Sequence, residues 1–376
     1  MKFTIKGVVL LTPMLALATP ALASPPATLN DVSQPGSVII YPKFIAKEVS
    51  VDGITFPQTE IEIGAVCPSG VTCPENEKIK IRFHWVCPGA EGVNSNICPE
   101  TSFDVTALTI NGKLAFSPDG IPINSNSPTT VRAAPCARGY LIGWVINPAN
   151  DLPIKFDALI GNAVIRNPNN TAGPNTGSST GLSAYSAIPV QANTIDAVGA
   201  TLSVPLDFDG AAGGYQQLTD TQVGDVRFDK TSAGNPLPNV LSLTSLNFLT
   251  LDVLSGQPNN PTFVPLNFYN ENQVGTDYEG YEFVCWDQVP LSALAGGVLT
   301  QAIQGTRKGI VIAGPARKIA DGNAPGDHTG PVTLIGLVET IEGTAANGFL
   351  ERKYNFNMVS ANVPASIINT EFVPVP

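Results

Sequence analysis

The segment KIKIRFHWVC, residues 78–87, places Ile79, Ile81, Phe83, Trp85 and Cys87 on one side of an extended chain and Lys80, Arg82 and His84 on the other. That two-residue period belongs to a strand, because successive side chains point to opposite faces of a sheet. Upstream, TEIEIGAVC repeats it, with Ile61, Ile63, Ala65 and Cys67 opposite Glu60, Glu62 and Gly64. Helices have little room: the 376 residues include 35 glycines and 33 prolines, and only 14% are charged, too few for a series of amphipathic surface helices. The chain therefore reads as all-β, with many short strands separated by turns and packed as antiparallel β-sandwiches.

Other strands follow the same logic. SVIIYPKFIA (37–46) is β-branched and aromatic, and Pro42, which has no N–H for a ladder, predicts an edge or a bulge. DVTALTINGKLAF carries Asn111-Gly112 between apolar runs, which predicts a hairpin. GYLIGWVIN (139–147) is almost continuously apolar and predicts a central strand buried on both faces. IKFDALIGNAVI (154–165) follows it. RNPNNTAGPNTGSST (166–180) is made of turn formers and reads as a loop or linker. GDVRF, LNFLTLDVL, FVPLNFYNE, YEFVCW, KGIVIAG and PVTLIGLVETIEG complete the set, with room for one short helix in VPLSALAGGVLTQAI. The expected organisation is two packed or interleaved β-domains, 24–165 and 181–376.

The first 23 residues are set apart. MKFTIK is basic, GVVLLTPMLALA is apolar but too short to span a bilayer, and Ala21-Leu22-Ala23 fits a cleavage site, so 1–23 reads as a secretory signal peptide. The expectation is an exported protein, extracellular, on the cell surface or in a periplasm, with no transmembrane segment after cleavage.

Export makes disulfides the natural state of an even cysteine count. The six are Cys67, Cys73, Cys87, Cys98, Cys136 and Cys285. Cys67, Cys73, His84 and Cys87 do not have the paired spacing of structural zinc sites, and strand alternation turns His84 away from Cys87, toward solvent. Pairing residues 59–67 with 79–87 as a hairpin would put Cys87 roughly 26 Å from Cys67, far beyond disulfide reach. The expected bridges are thus Cys67–Cys73, Cys87–Cys98 and Cys136–Cys285, the last tying the two halves together.

Without Lys2 and Lys6 there are 18 basic residues against 31 acidic, a net charge of −13. Such a surface disfavours nucleic acid and anionic membranes. GSVIIYPKF, KIRFHWVCPG, RGYLIGWVIN, PNNPTFVPLNFYNE, GTRKG and GPVTLIGLVETIEG together resemble a group of uncharacterised secreted bacterial proteins over most of the mature chain. The resemblance implies export and an all-β build, and brings no activity, ligand or catalytic residue with it.

Chemistry has to be sought residue by residue. Only His84 and His328 supply an imidazole, one on a polar strand face and one in DGNAPGDHTGP, and both read as surface histidines. GLSAY, around Ser183, lacks the closing glycine of a nucleophile elbow. Asp207 and Asp209 in PLDFDGAAGG could give oxygens to calcium, but the remaining ligands of a calcium loop are missing and an Asp/Gly turn is the plainer reading. Arg307 and Lys308 in GTRKG could hold an anion, or simply pair with carboxylates. Trp85 and Trp144 are expected in the core, and Trp286 against the Cys285 disulfide. No catalytic residue and no cofactor is assigned. The favoured expectation is an exported non-catalytic protein, structural, surface-layer or adhesive, that self-associates or binds an extracellular ligand. The alternative is a carbohydrate-active or lectin-like protein with a calcium-assisted site.

Overall fold

The computed structural model describes residues 32–49, 55–57, 59–74, 77–89, 96–123, 127–166, 182–195, 206–208, 210, 213–227, 240–253, 258–294, 308–319, 328–344, 349–355, 359–360 and 371–372. The expected signal peptide lies outside them. In the first half the strands are β1 (Val38–Ile45), β2 (Lys47–Val49), β3 (Thr55–Pro57), β4 (Thr59–Ala65), β5 (Lys78–Val86), β6 (Glu100–Thr109), β7 (Lys113–Phe116), β8 (Arg138–Ile146), β9 (Leu159–Arg166), β10 (Leu182–Ser186) and β11 (Ile188–Val190). The second half contains β12 (Leu206–Asp207), β13 (Gln222–Arg227), β14 (Val240–Leu249), β15 (Thr262–Asn270), β16 (Gly275–Phe283) and β17 (Trp286–Pro290). After the single helical turn α1 (Leu291–Leu294) come β18 (Lys308–Ala313), β19 (Arg317–Ile319), β20 (His328–Pro331), β21 (Ile335–Thr344), β22 (Phe349–Asn355), β23 (Val359–Ser360) and β24 (Glu371–Phe372).

The fold is β-sandwich-like, and every pairing among the described strands is antiparallel. A five-stranded sheet ordered β11-β1-β8-β5-β6 packs on a four-stranded sheet ordered β10-β9-β4-β7. Between them lie Ile81, Phe83, Trp85, Phe103 and Val105 from one sheet and Ile61, Ile63, Ala163 and Ile165 from the other, all buried. Gly143 makes this packing possible: a Cβ there would come within 2.3 Å of the Phe83 ring on the neighbouring strand. The second half repeats the scheme. A seven-stranded sheet built around β15, β18 and β13 packs on β17-β14-β21-β22, enclosing Leu246, Phe248, Val264, Leu266, Phe268, Val311 and Val338.

A third core joins the halves. The outer face of the five-stranded sheet presents Val38, Ile40, Tyr140, Ile142 and Trp144, and these are covered by Phe208, Tyr215, Leu249, Leu251, Trp286 and Ile335. Central β8 is consequently buried from Gly139 to Ile146, as its continuous apolar run predicts. Pro42 sits at a register shift of β1 between Tyr41 and Phe44, the expected bulge.

Four expectations change. First, β4 and β5 do not form a hairpin; β4 pairs with β7 and β9, while β5 pairs with β6 and β8 in the opposite sheet. Second, Asn111-Gly112 does turn the chain, with Asn111 at φ 62° and Gly112 N–H donating to Thr109 C=O at 2.8 Å. The turn, however, carries the chain from the five-stranded to the four-stranded sheet, because β7 pairs with β4 and not with β6. Third, β10 pairs with β9 and β11 with β1, so the first sandwich continues beyond the 166–180 stretch to Val190. Residues 167–181 themselves lie outside the described set.

Fourth, the disulfides are Cys67–Cys73, as expected, and Cys87–Cys136 and Cys98–Cys285, replacing the expected Cys87–Cys98 and Cys136–Cys285. The register explains the exchange. Val86 pairs with Glu100 and Cys87 N–H donates to Pro99 C=O, so Cys87 and Pro99 share a face and Cys98 points to the other one. Cys87 meets Cys136 at a Cα separation of 6.0 Å, just before β8 begins beside Val86. Cys98 joins the core between the halves and reaches Cys285 at 6.5 Å. The halves are tied by a disulfide as anticipated, but through Cys98. Three disulfides fit an oxidising, exported environment. No described helix is long and apolar enough to cross a membrane.

Candidate functional site

The densest polar constellation lies where the sandwiches meet. At the Pro42 bulge the carbonyl of Pro42 accepts a hydrogen bond from the Trp286 indole at 2.8 Å. The next residue, Lys43, aims its ammonium at Glu339 Oε2 in β21, and the two side chains are 1% and 2% exposed. Lys43 Nζ also donates to Gln288 Oε1 in β17 at 3.2 Å, and Gln288 Nε2 donates to Glu339 Oε2 at 2.8 Å. Arg138, at the start of β8, donates Nη1 to the same Gln288 Oε1 at 3.3 Å. The Tyr185 hydroxyl accepts from the Lys43 N–H at 3.1 Å and donates to its C=O, and burial pushes that phenol well above its ordinary pKa. Charges taken out of water are costly unless paired and hydrogen-bonded on all sides, and this group meets that condition. Its members were not singled out from the sequence. The available signal was a lone charge within an apolar run, Lys43 in SVIIYPKFIA and Glu339 in PVTLIGLVETIEG.

His84 is the largest departure from expectation among the singled-out residues. It is fully buried, stacked on Trp144 at 4.9 Å between ring centroids, with Nδ1 3.5 Å from Glu100 Oε1. The second half covers this end of β5, whereas Lys80 and Arg82, on the same face at its other end, remain partly exposed. Arg82 grips Asp104 through Nε at 2.8 Å and Nη2 at 3.1 Å, and Lys80 bridges Asp151 at 2.5 Å and Asp104 at 3.2 Å. Lys80, Arg82 and Asp104, with Ser102, Thr106, Thr130 and Arg132, line an open depression of about 540 Å³.

Burial alone raises the Asp104 carboxyl, but the Arg82 and Lys80 hydrogen bonds outweigh it and hold the group below the ordinary carboxylate value. A depressed folded-state pKa stabilises above the unfolded value of about 4, and that stabilisation disappears as pH falls through the folded value. Asp104→Asn is accordingly expected to lower unfolding free energy at pH 7 by up to about 1 kcal/mol, the scale of partly exposed pairs, and to match the parent protein at strongly acidic pH. Denaturant titrations at both pH values check this; an equal loss at both would assign the effect to packing.

The remaining sequence candidates are dispersed. Asp207 lies in β12 opposite Glu371, half-buried, and Asp209 lies outside the described residues. His328 opens β20 opposite Ile319, and Ser183 lies on edge strand β10, away from any strand-to-helix elbow. Lys308 is exposed at the start of β18, and Arg307 lies outside the described set. Trp85, Trp144 and Trp286 are all buried. Among the described residues no three His, Cys, Asp or Glu side chains converge as metal ligands.

No protein-family model matches the chain. No curated protein matches it either. Among solved structures, one described as the T13 viral particle of IBDV aligns over 92% of this chain and 72% of that chain, at 10% identity and a TM-score of 0.18. Another, of the infectious bursal disease virus Gt strain, covers 87% and 71% at 11% identity and a TM-score of 0.15. Scores this low establish no shared fold, and nothing about function follows from them.

Proposed function

We propose that this is an exported, non-catalytic protein of the cell surface or extracellular space, with a structural, surface-layer or adhesive role based on self-association or capture of an extracellular ligand. The observation that carries this reading is the join between the sandwiches: an apolar core, the Cys98–Cys285 bridge and the buried Lys43–Glu339 pair fasten the same two bodies. Such a join resists the hinge motion by which two-domain enzymes close on substrates, and suits a body that bears load or presents a fixed surface. The acidic composition agrees with an exposed, soluble surface. The lectin-like alternative draws no support from the tryptophans, which are all in the core.

The test is to screen the oxidised mature protein against glycoside and ester substrates, and to follow its mass in solution by light scattering with and without calcium. The expected result is no turnover, with concentration-dependent assembly or a fixed particle that binds extracellular polymer. Saturable turnover, abolished by one carboxylate substitution, would overturn the reading.

A further inference from the structure

The join holds more than an ion pair. Lys43 is an amine within hydrogen-bond distance of a carboxamide oxygen at Gln288, with a carboxylate, Glu339, touching both the amine and the carboxamide nitrogen. Arg138 adds a second donor to Gln288 Oε1. A nucleophile, an acyl carbon, a proton carrier in contact with both nitrogens and a cation on the carbonyl oxygen are the parts that acyl transfer to an amine requires. We propose that Lys43 and Gln288 form an intramolecular isopeptide bond that joins the two sandwiches covalently, with Glu339 as the acid–base and Arg138 stabilising the oxyanion.

The step balances without any co-reactant. Lys43 passes a proton from Nζ to Glu339, turning the ion pair into neutral amine and acid, a change favoured when both groups are removed from water. The Nζ lone pair attacks Gln288 Cδ, the carbonyl π electrons move to Oε1, and the Arg138 guanidinium holds the resulting charge. Glu339 returns its proton to Nε2, the Cδ–Nε2 bond breaks as the carbonyl reforms, and the leaving group departs as ammonia. The new amide nitrogen sheds its extra proton through Glu339 to that ammonia. Ammonium therefore replaces the lysine ammonium in the charge balance, and no centre is oxidised or reduced. Aminolysis of an amide is slow in open water. Here the reactants are held by β1, β17 and β21, and fixed geometry of this kind is worth effective molarities of about 10⁵–10⁸ M. Gln288 is only half-buried and Arg138 is exposed, which leaves the ammonia a way out.

The chemistry leaves a mass signature independent of any function. The oxidised mature protein, its N-terminus determined on the same sample, is expected to weigh about 17 Da less than its sequence with three disulfides, the mass of one ammonia. After reduction and proteolysis, tandem mass spectrometry should find the peptide containing Lys43 joined to the one containing Gln288. Separate peptides with a free Lys43 and an intact Gln288 carboxamide would overturn the proposal, and this readout needs no variant. Glu339→Gln, which keeps the shape and removes the acid, is expected to restore the full mass with all three disulfides formed. An undiminished cross-link in that variant would remove Glu339 from the mechanism. If the variant does not fold, the parent protein's peptide map alone decides.

Discussion

Protein in which Cys87 and Cys136 are both replaced by alanine is expected to lose about 4 kcal/mol of unfolding free energy, from the chain-entropy value for a closed loop of this length. The bridge spans 49 residues, enclosing β6, β7 and the long connection back to β8. Cutting it frees that segment in the unfolded chain while leaving the folded ladder between β5 and β8 in place. The Cys67–Cys73 bridge, which spans six positions, is expected to contribute only about 2 kcal/mol on the same scale. Denaturant unfolding of the two double variants without reductant checks the order. Equal losses would show that local geometry, and not loop closure, sets the value of these bridges.

Trp85→Ala is expected to cost about 3–5 kcal/mol, the usual range for removing a large buried aromatic side chain. Trp85 is fully buried, edge-on to Phe44 at 4.8 Å, and within 5.7 Å of Phe103 and 6.1 Å of Phe116 by ring centroid. Its indole N–H donates to the Arg132 carbonyl at 2.8 Å, pinning the connection that follows β7. Trp85→Phe keeps much of the ring packing and loses that hydrogen bond, so it should cost less than half as much. Thermal unfolding or denaturant titration of the pair gives the comparison. Similar losses for Phe and Ala would make the Arg132 hydrogen bond the dominant contribution.

Alternation in KIKIRFHWVC assigned faces correctly: Ile79, Ile81, Phe83 and Trp85 all enter the first core. It could not say what covers the opposite face, because that depends on strands more than a hundred residues away. Lys80 stays in solvent contact while His84, four residues further along the same face, is buried against Trp144. The same limit governs the cysteines. Cys87 and Cys98 are close along the chain and lie in adjacent strand ends, but they project to opposite sides of the sheet, a fact set by the β5–β6 register and not by spacing. Asn111-Gly112 shows a related ambiguity, since a tight turn specifies reversal of direction without specifying which strand receives the chain. The Lys43, Gln288, Glu339 and Arg138 group was out of reach for a further reason: its four residues come from four strands, and only the packing of the halves brings them together.

The core between the halves also imposes an order of events on folding. Lys43 and Glu339 are 296 positions apart, and Val38 and Trp144 wait for Leu249, Trp286 and Ile335 before their face of the sheet is closed. A chain released from its N-terminus onward can complete the first sandwich and its Cys87–Cys136 bridge early, yet that body then carries an uncovered apolar sheet for the whole time the second half is emerging. Contacts this distant in sequence form late, because their loop-closure entropy must be overcome first. The vulnerable species in biogenesis is therefore the half-finished molecule, whose Val38–Trp144 face stays open to aggregation until Leu249, Trp286 and Ile335 close over it.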